Sequence, residues 1–397
     1  MSRRGIDTLA AIARKEERII LGLMSGTSLD GLDLALCTVN GHGVNSRVEL
    51  KAFTTAPYED AFKDHIRAVF AKRTVDLEAL TLLNSIIAEK HADLISDALE
   101  NWRLTAKDVD LIASHGQTVY HAPRSLHGSP DLPNATLQLG DGDHIARRTG
   151  IITCSDFRQK HVAAGGEGAP LAAYGDVLLF TDEEHDRVLL NIGGISNLTL
   201  VPRKNSAGRA FSTDIGPGNT IMDALAQRDF DRPFDADAEI ARGGTVSRVI
   251  LDSMLQDAFF QLTPPKTTGP EHFSLSWAEQ HVTDAGENLS PADLMATLNR
   301  LTAETIASAI KALPTDQMEV FVSGGGAHNP LLRRHLSELM PGQQVETTDA
   351  LGINPDAKEA ILFALLANEL VAGDAATFDN RLEGAPAITM GKISLPD

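Results

Sequence analysis

Two stretches of this chain share a plan that limits what it can fold into. "IILGLMSGTSLDGLDLALCTV" (19–39) and "RVLLNIGGISNLTLV" (187–201) each run from an apolar strand through a turn of glycine and polar residues into a second apolar strand. A hairpin needs only two turn residues. Gly26-Thr27-Ser28-Leu29-Asp30-Gly31, with its hydroxyls and carboxylate, is therefore more than a reversal of direction. Each hairpin opens a series. After the first come a strand at 48–55, helices at 59–72 and 76–101, strands at 109–118 and 150–157, and a proline-rich loop at 120–136. After the second come strand, glycine turn and helix at 209–227, a helix at 291–313, strand, turn and helix at 318–340, and an amphipathic helix at 354–373. Ser290-Pro291, Asn329-Pro330 and Asn354-Pro355 read as helix starts. This faint repeat predicts two related α/β domains facing each other across a cleft, each offering a glycine turn to one ligand. The expected division is 1–150 with 373–397 against 151–372.

Four glycine turns follow strand ends, at 26–31, 193–197, 216–219 and 324–329, and the last two open helices. Free backbone amides and helix N-termini attract phosphate. Four such turns point to a nucleotide, although a single one is usually only a turn. Neither G-x-x-x-x-G-K-[ST] nor a Rossmann G-x-G-x-x-G is present, so the P-loop and dinucleotide folds are excluded.

The 397 residues suit two domains, and 54 acidic against 35 basic residues give a net charge of −19. So acidic a surface, with no Lys/Arg cluster, argues against nucleic acid and anionic membrane as partners. No apolar run reaches a membrane span. Cys37 and Cys154 sit in strand-like runs without metal-ligand partners, which suits a reducing compartment. Without a signal-peptide-like start, the cytoplasm is the expected location.

Several long motifs then occur in order along nearly the whole chain: "LGLMSGTSLDGLDLAL", "SHGQTVYH", "SDFRQKHVAAGGEGAPL", "NIGGISNLTLV", "DIGPGNTIMDA", "PPKTTG" and "VSGGGAHNP". They resemble the anhydro-N-acetylmuramic acid kinase family, within the actin-like, ribonuclease H-like ATPase and sugar kinase superfamily. Levoglucosan kinase is a sister that shares most of them. The resemblance implies ATP and Mg²⁺ as cofactors, an anhydro sugar as the small-molecule partner, and a homodimer. It also implies conversion of 1,6-anhydro-N-acetylmuramic acid to N-acetylmuramic acid 6-phosphate in cell-wall recycling. A neutral anhydro sugar is the alternative substrate. A nucleotide-gated chaperone or filament protein is the non-enzymatic alternative, but no peptide-binding or polymerisation insert is visible.

Carried over residue by residue, the resemblance makes Gly26, Thr27, Ser28, Leu29, Asp30, Gly31, Leu32 and Asp33 the first phosphate loop. Gly193, Gly194, Gly216, Gly218 and Asn219 form the second, and Gly324, Gly325, Gly326 and Asn329 the adenosine motif. Asp30 is a candidate Mg²⁺ ligand, directly or through water; the bland alternative is an Asx-turn carboxylate. Asp214, at a strand end before Ile215-Gly216-Pro217-Gly218, is the implied general base, against an ordinary capping role. His115, Gln117, Arg158, Lys160 and Glu359 are candidate sugar contacts. Structural burial of His115, pairing of Arg158 with Asp156, solvation of Lys160 and a capping Glu359 are the alternatives. Lys160 is the expected reader of the lactyl carboxylate. Three departures stand out: Met24-Ser25 where many superfamily members have an Asp before the Gly-Thr, His161 where the family has Asp, and Pro270 where relatives have Arg.

Overall fold

The computed structural model describes residues 4–26, 29–169, 171–315, 317–378 and 381–396; Thr27 and Ser28 of the first turn lie outside them. The apolar runs form strands β1 (Glu17–Ser25), β2 (Gly31–Asn40), β3 (Arg47–Pro57), β4 (Leu111–Ala122), β5 (Ala135–Leu139) and β6 (Thr153–Ser155). In the second half they form β7 (Asp186–Ile192), β8 (Ile195–Val201), β9 (Phe211–Pro217), β10 (Met318–Ser323) and β11 (Val345–Thr347), with β12 (Lys392–Ser394) near the end of the chain.

The strand order settles the fold. One sheet runs β12-β6-β4-β1-β2-β3, with β5 also on β4, and the other runs β11-β10-β7-β8-β9. In the first, β1, β2 and β3 pair antiparallel while β4 joins β1, and β6 joins β4, in parallel. In the second, β7, β8 and β9 pair antiparallel while β10 and β11 follow in parallel. With the added strands β5 and β12 set aside, the five remaining strands of each sheet stand in the order 3-2-1-4-5, with the second strand reversed. That is the ribonuclease H-like arrangement of actin-like ATPase domains, and it turns the faint repeat of the two hairpins into a structural one.

The chain divides into two units, 1–179 with 353–397, and 180–352. The sequence-based boundaries at 150 and 372 therefore move. β6 pairs with β4 in the first sheet, and the helix Lys358–Ala372 packs on β1, β2 and β4. That helix is also not amphipathic. Residues Ala360 to Ala367 are all buried, because it fills the centre of the first unit and not its rim. The proline-rich stretch is more ordered than expected, since β4 runs on to Ala122, a helical turn follows at Arg124–His127, and β5 begins at Ala135. Two helix starts hold, with Ser290 accepting from the Asp293 amide and Asn329 from Leu332, while Asn354 accepts from Asp356 to open a 3-10 turn, Pro355–Ala357, ahead of the helix that begins at Lys358.

The helix Lys358–Ala372 approaches β1 where Gly22 lacks a side chain. A Cβ on Gly22 would lie 1.9 Å from the Ala360 carbonyl oxygen. Backbone cannot yield as a flexible side-chain tip does, and overpacking of this kind costs about 1–3 kcal/mol. Gly22→Ala is expected to lower the melting temperature by roughly 3–10 °C. A thermal melt within one degree of the parent would show that the helix shifts freely and does not depend on this contact.

Candidate active site

In the first unit the site residues leave the carboxyl ends of β1 and β4, the side on which open α/β sheets bind ligands. The β1–β4 register slips between Leu23↔Ser114 and Ser25↔Gln117, so β4 carries one extra residue there. Gly116 makes this possible with φ +76, and a Cβ on it would lie 2.6 Å from the Leu139 carbonyl oxygen. The bulge sends the side chains on either side of it into different surroundings.

Gln117 is fully buried, and its amide is committed within the protein. Oε1 accepts from Ser25 Oγ at 2.6 Å, while Nε2 donates to the carbonyls of Gly26 and Thr118, both at 3.2 Å. Its visible work is to hold the start of the first turn.

His115 is buried against the Phe363 ring, with centroids 4.7 Å apart. Its Nε2 accepts from Arg158 Nε at 2.9 Å, which puts the ring proton on Nδ1. Burial first, and the neighbouring guanidinium second, push His115 down to about 3, so the ring is neutral at pH 7. Arg158 also donates to the Gly168 carbonyl at 2.7 Å. Asp156, its expected structural partner, bonds Lys392 instead. Glu359, in the first turn of the helix Lys358–Ala372, has its carboxyl raised by partial desolvation. Arg158 opposes that shift and Asp33 adds to it. Lys160 lies exposed in the last turn of the helix Phe157–Ala163, and its ammonium meets no partner among the described residues.

Two carboxylates flank the first turn. Asp33 accepts from Thr55 Oγ1 at 2.6 Å, and burial raises its carboxyl, with Asp356 and Asp30 adding repulsion. Asp30 is exposed, and its carbonyl accepts the Tyr58 amide at 3.2 Å. Leu29, between Gly26 and Asp30, is buried at φ +60, a conformation that a bulky residue adopts only when its surroundings impose it. Of the departures from the family pattern, His161 is buried and its Nδ1 accepts the Gly168 amide at 2.9 Å, an acceptor role that a carboxylate could also fill. Pro270 is exposed, and nothing in the structure explains it.

The second unit repeats the device. The β8–β9 register passes from Ser196↔Gly216 to Asn197↔Asp214, leaving Ile215 as the extra residue beside the candidate base. Asp214 caps no helix. Its amide donates to the Lys266 carbonyl, and its Oδ2 accepts the Thr268 amide, both at 2.9 Å. Desolvation raises the Asp214 carboxyl, with the Thr268 bond opposing. The "PPKTTG" segment thus supplies a partner that the sequence reading left unassigned.

The glycine turns differ from expectation in one respect. The amides of Gly218, Asn219 and Thr220 are not free for phosphate, because they donate to the carbonyls of Gly194, Gly193 and Gly194 at 2.9, 2.8 and 3.1 Å. Ala327 and Asn329 likewise donate to Gly324 and Gly326. The amides of Gly193, Gly194, Gly325 and Gly326 make no such turn bond among the described residues. A cavity of about 530 Å³ opens here, lined by Asn219, Asp223, Phe234, Gly325, His328 and Asn329 among others. It brings the second phosphate motif and the adenosine motif together. A larger cavity of about 920 Å³, lined by Glu183, Arg203 and Gln317, lies at the amino ends of β7 and β10, the wrong end for a ligand site in such a sheet. No helix among the described residues is long and apolar enough to cross a membrane.

Residues 18–393 match the anhydro-N-acetylmuramic acid kinase family. The chain belongs to that family. A kinase of this name from Pseudoalteromonas atlantica is 53% identical over 99% of this chain and 99% of its own length. One from Pseudoalteromonas translucida is 49% identical over the same shares, and one from Caldanaerobacter subterraneus is 38% identical over 98% of this chain and all of its own. Among solved structures, a ROK hexokinase from Thermus thermophilus aligns at TM-score 0.38 and 15% identity, over 89% of this chain and 97% of that one. The fold assignment stands on strand order and not on that likeness. Family membership makes the chain a phosphotransferase that uses ATP, as the motifs implied.

Proposed function

We propose that this protein hydrolytically opens 1,6-anhydro-N-acetylmuramic acid and phosphorylates its O6 at the expense of ATP. The observation that carries the reading is Asp214, a half-buried carboxylate at a strand bulge, held by the Thr268 amide and raised by desolvation. A raised carboxylate with one oxygen engaged and the other uncommitted suits a general base. In the anhydro sugar O6 is tied to C1, so no 6-hydroxyl exists to be deprotonated. Asp214 instead takes a proton from a water as that water's oxygen bonds to C1. The C1–O6 bond breaks, O6 leaves with its electron pair and attacks the γ-phosphorus, and ADP departs.

The nucleotide reading is supported by the cavity at Asn219, Gly325 and Asn329. Asp30 and Asp33 would hold Mg²⁺ through water or directly. Asp30 lies close enough to add to the raising of the Asp33 carboxyl, and two neighbouring carboxylates suit an ion that takes oxygen ligands and keeps several waters. When bound, Mg²⁺ neutralises charge on the phosphates. In the first unit, neutral His115, the Arg158 guanidinium and the Glu359 carboxyl offer a sugar both donors and acceptors, while Gln117 acts through the turn. Buried free Cys37 and Cys154 agree with a cytoplasmic setting.

Asp214→Asn should leave nucleotide binding within about twofold and lower turnover by ~10²–10⁴-fold. Turnover within tenfold of the parent would overturn the assignment. The same variant carries a stability signature. A carboxyl raised on folding adds stability below its unfolded value and loses it as pH rises through the folded one. At pH 7 the ionised Asp214 therefore costs stability, and Asp214→Asn should melt higher than the parent. The gap should close below about pH 4.

The lactyl carboxylate of the muramic acid sugar calls for a cation, and Lys160 is an unpaired one on the same helix as Arg158. Lys160→Ser is expected to raise KM for the muramic acid sugar by roughly tenfold, the order of one charge-assisted hydrogen bond, with levoglucosan turnover unchanged. Equal loss on both sugars, or none on either, would remove Lys160 from substrate selection and favour a neutral anhydro sugar.

A further inference from the structure

The carbonyl oxygen of Gln117 can only accept, and this gives a direction to a buried chain of hydrogen bonds that the sequence does not announce. Because Ser25 Oγ donates to Gln117 Oε1, it must accept from the Tyr58 hydroxyl 2.8 Å away. The Tyr58 oxygen in turn accepts from His91 Nε2 at 2.9 Å, so the His91 ring proton sits on Nε2 and its buried Nδ1 is left as a bare acceptor. The chain reads His91 to Tyr58 to Ser25 to Gln117, and Gln117 then donates to the Gly26 carbonyl. Tyr58, Ser25, His91 and Gln117 are all buried.

Tyr58 also reaches the other end of the same turn, since its backbone amide donates to the Asp30 carbonyl at 3.2 Å. One residue thus holds both ends of the segment that carries Leu29 in its left-handed conformation. We propose that Tyr58, oriented by His91, is a positioning residue that sets the first phosphate turn for nucleotide. Burial supports the arrangement by pushing His91 down to about 4 and the Tyr58 phenol up, so both keep the protonation that the chain requires near pH 7. Tyr58 contacts neither substrate in this account. It acts through Ser25, Gln117 and the turn backbone, and the inference rests on reading residues 26–33 as a phosphate turn.

Tyr58→Phe keeps the ring and removes the link. The expected result is a ~3- to 10-fold rise in KM for ATP and in the Kd for Mg·ADP by calorimetry, with KM for the anhydro sugar unchanged. His91→Leu should reproduce that split, and His91→Gln, which keeps an N–H donor, should recover most of it. A Tyr58→Phe protein that melts lower yet keeps the parental KM for ATP would reduce the network to a structural one and overturn the proposal. Asp30→Ala separates the two levels. If it weakens Mg·ADP binding while Tyr58→Phe does not, the positioning role fails and the phosphate reading stands. If neither changes nucleotide affinity, the phosphate reading of this turn fails and takes the inference with it.

Discussion

The carbonyls of Gly193 and Gly194 accept the amides of Gly218, Asn219 and Thr220, and the carboxyl-end turns of the second sheet depend on that short set of bonds. They tie the first hairpin turn of the unit to the turn after β9, where the helix Thr220–Phe230 begins. Buried backbone amides need partners, and here the partners come from a turn with little steric bulk. A Cβ on Gly218 would lie 2.3 Å from the Gly193 carbonyl oxygen. The glycines at 193–194 and 216–219 therefore serve first as mutual supports. Their joint effect is to fix the strand end from which Asp214 projects, and to place Asn219 on the wall of the cavity that Gly325 and Asn329 share.

Each unit meets the same problem with the same device. Regular β pairing alternates side chains strictly between the two faces, which limits what a strand end can present. A one-residue bulge breaks the alternation at His115–Gln117 in β4 and at Asp214–Ile215 in β9. Electrostatics then separate the roles. His115 is kept neutral by burial and by Arg158, and Asp214 is raised by desolvation with a single backbone donor opposing.

The fold was largely legible because its signals are local. Apolar runs, glycine turns and Ser-Pro or Asn-Pro helix starts lie within a few residues of one another; Ser290 and Asn329 cap their helices, and Asn354 caps the 3-10 turn that leads into the third. Resemblance brought the phosphate motifs and Asp214 into view. What escaped depends on contacts distant in sequence. The Thr268 amide on Asp214, 54 residues away, leaves no periodic trace, and neither does the link from Tyr58 to Ser25, 33 residues away. The domain boundary was misplaced for a related reason: composition does not say which sheet a short strand such as β6 will join. Sequence alone leaves Gln117 open as a sugar ligand, because a polar residue after a strand can face either a ligand or the protein. Only its three internal bonds show that its amide is already committed.

In the proposed reaction a water activated by Asp214 enters at C1 while O6 is phosphorylated. Isotope tracing in ¹⁸O-labelled water tests it most directly, with the protein, ATP, Mg²⁺ and 1,6-anhydro-N-acetylmuramic acid, and mass spectrometry of the product. The expected product is a ring-opened 6-phosphate with one label on its C1 hydroxyl. A phosphorylated product with the anhydro ring intact, or a 6-phosphate without label at C1 when quenched before exchange, would contradict it.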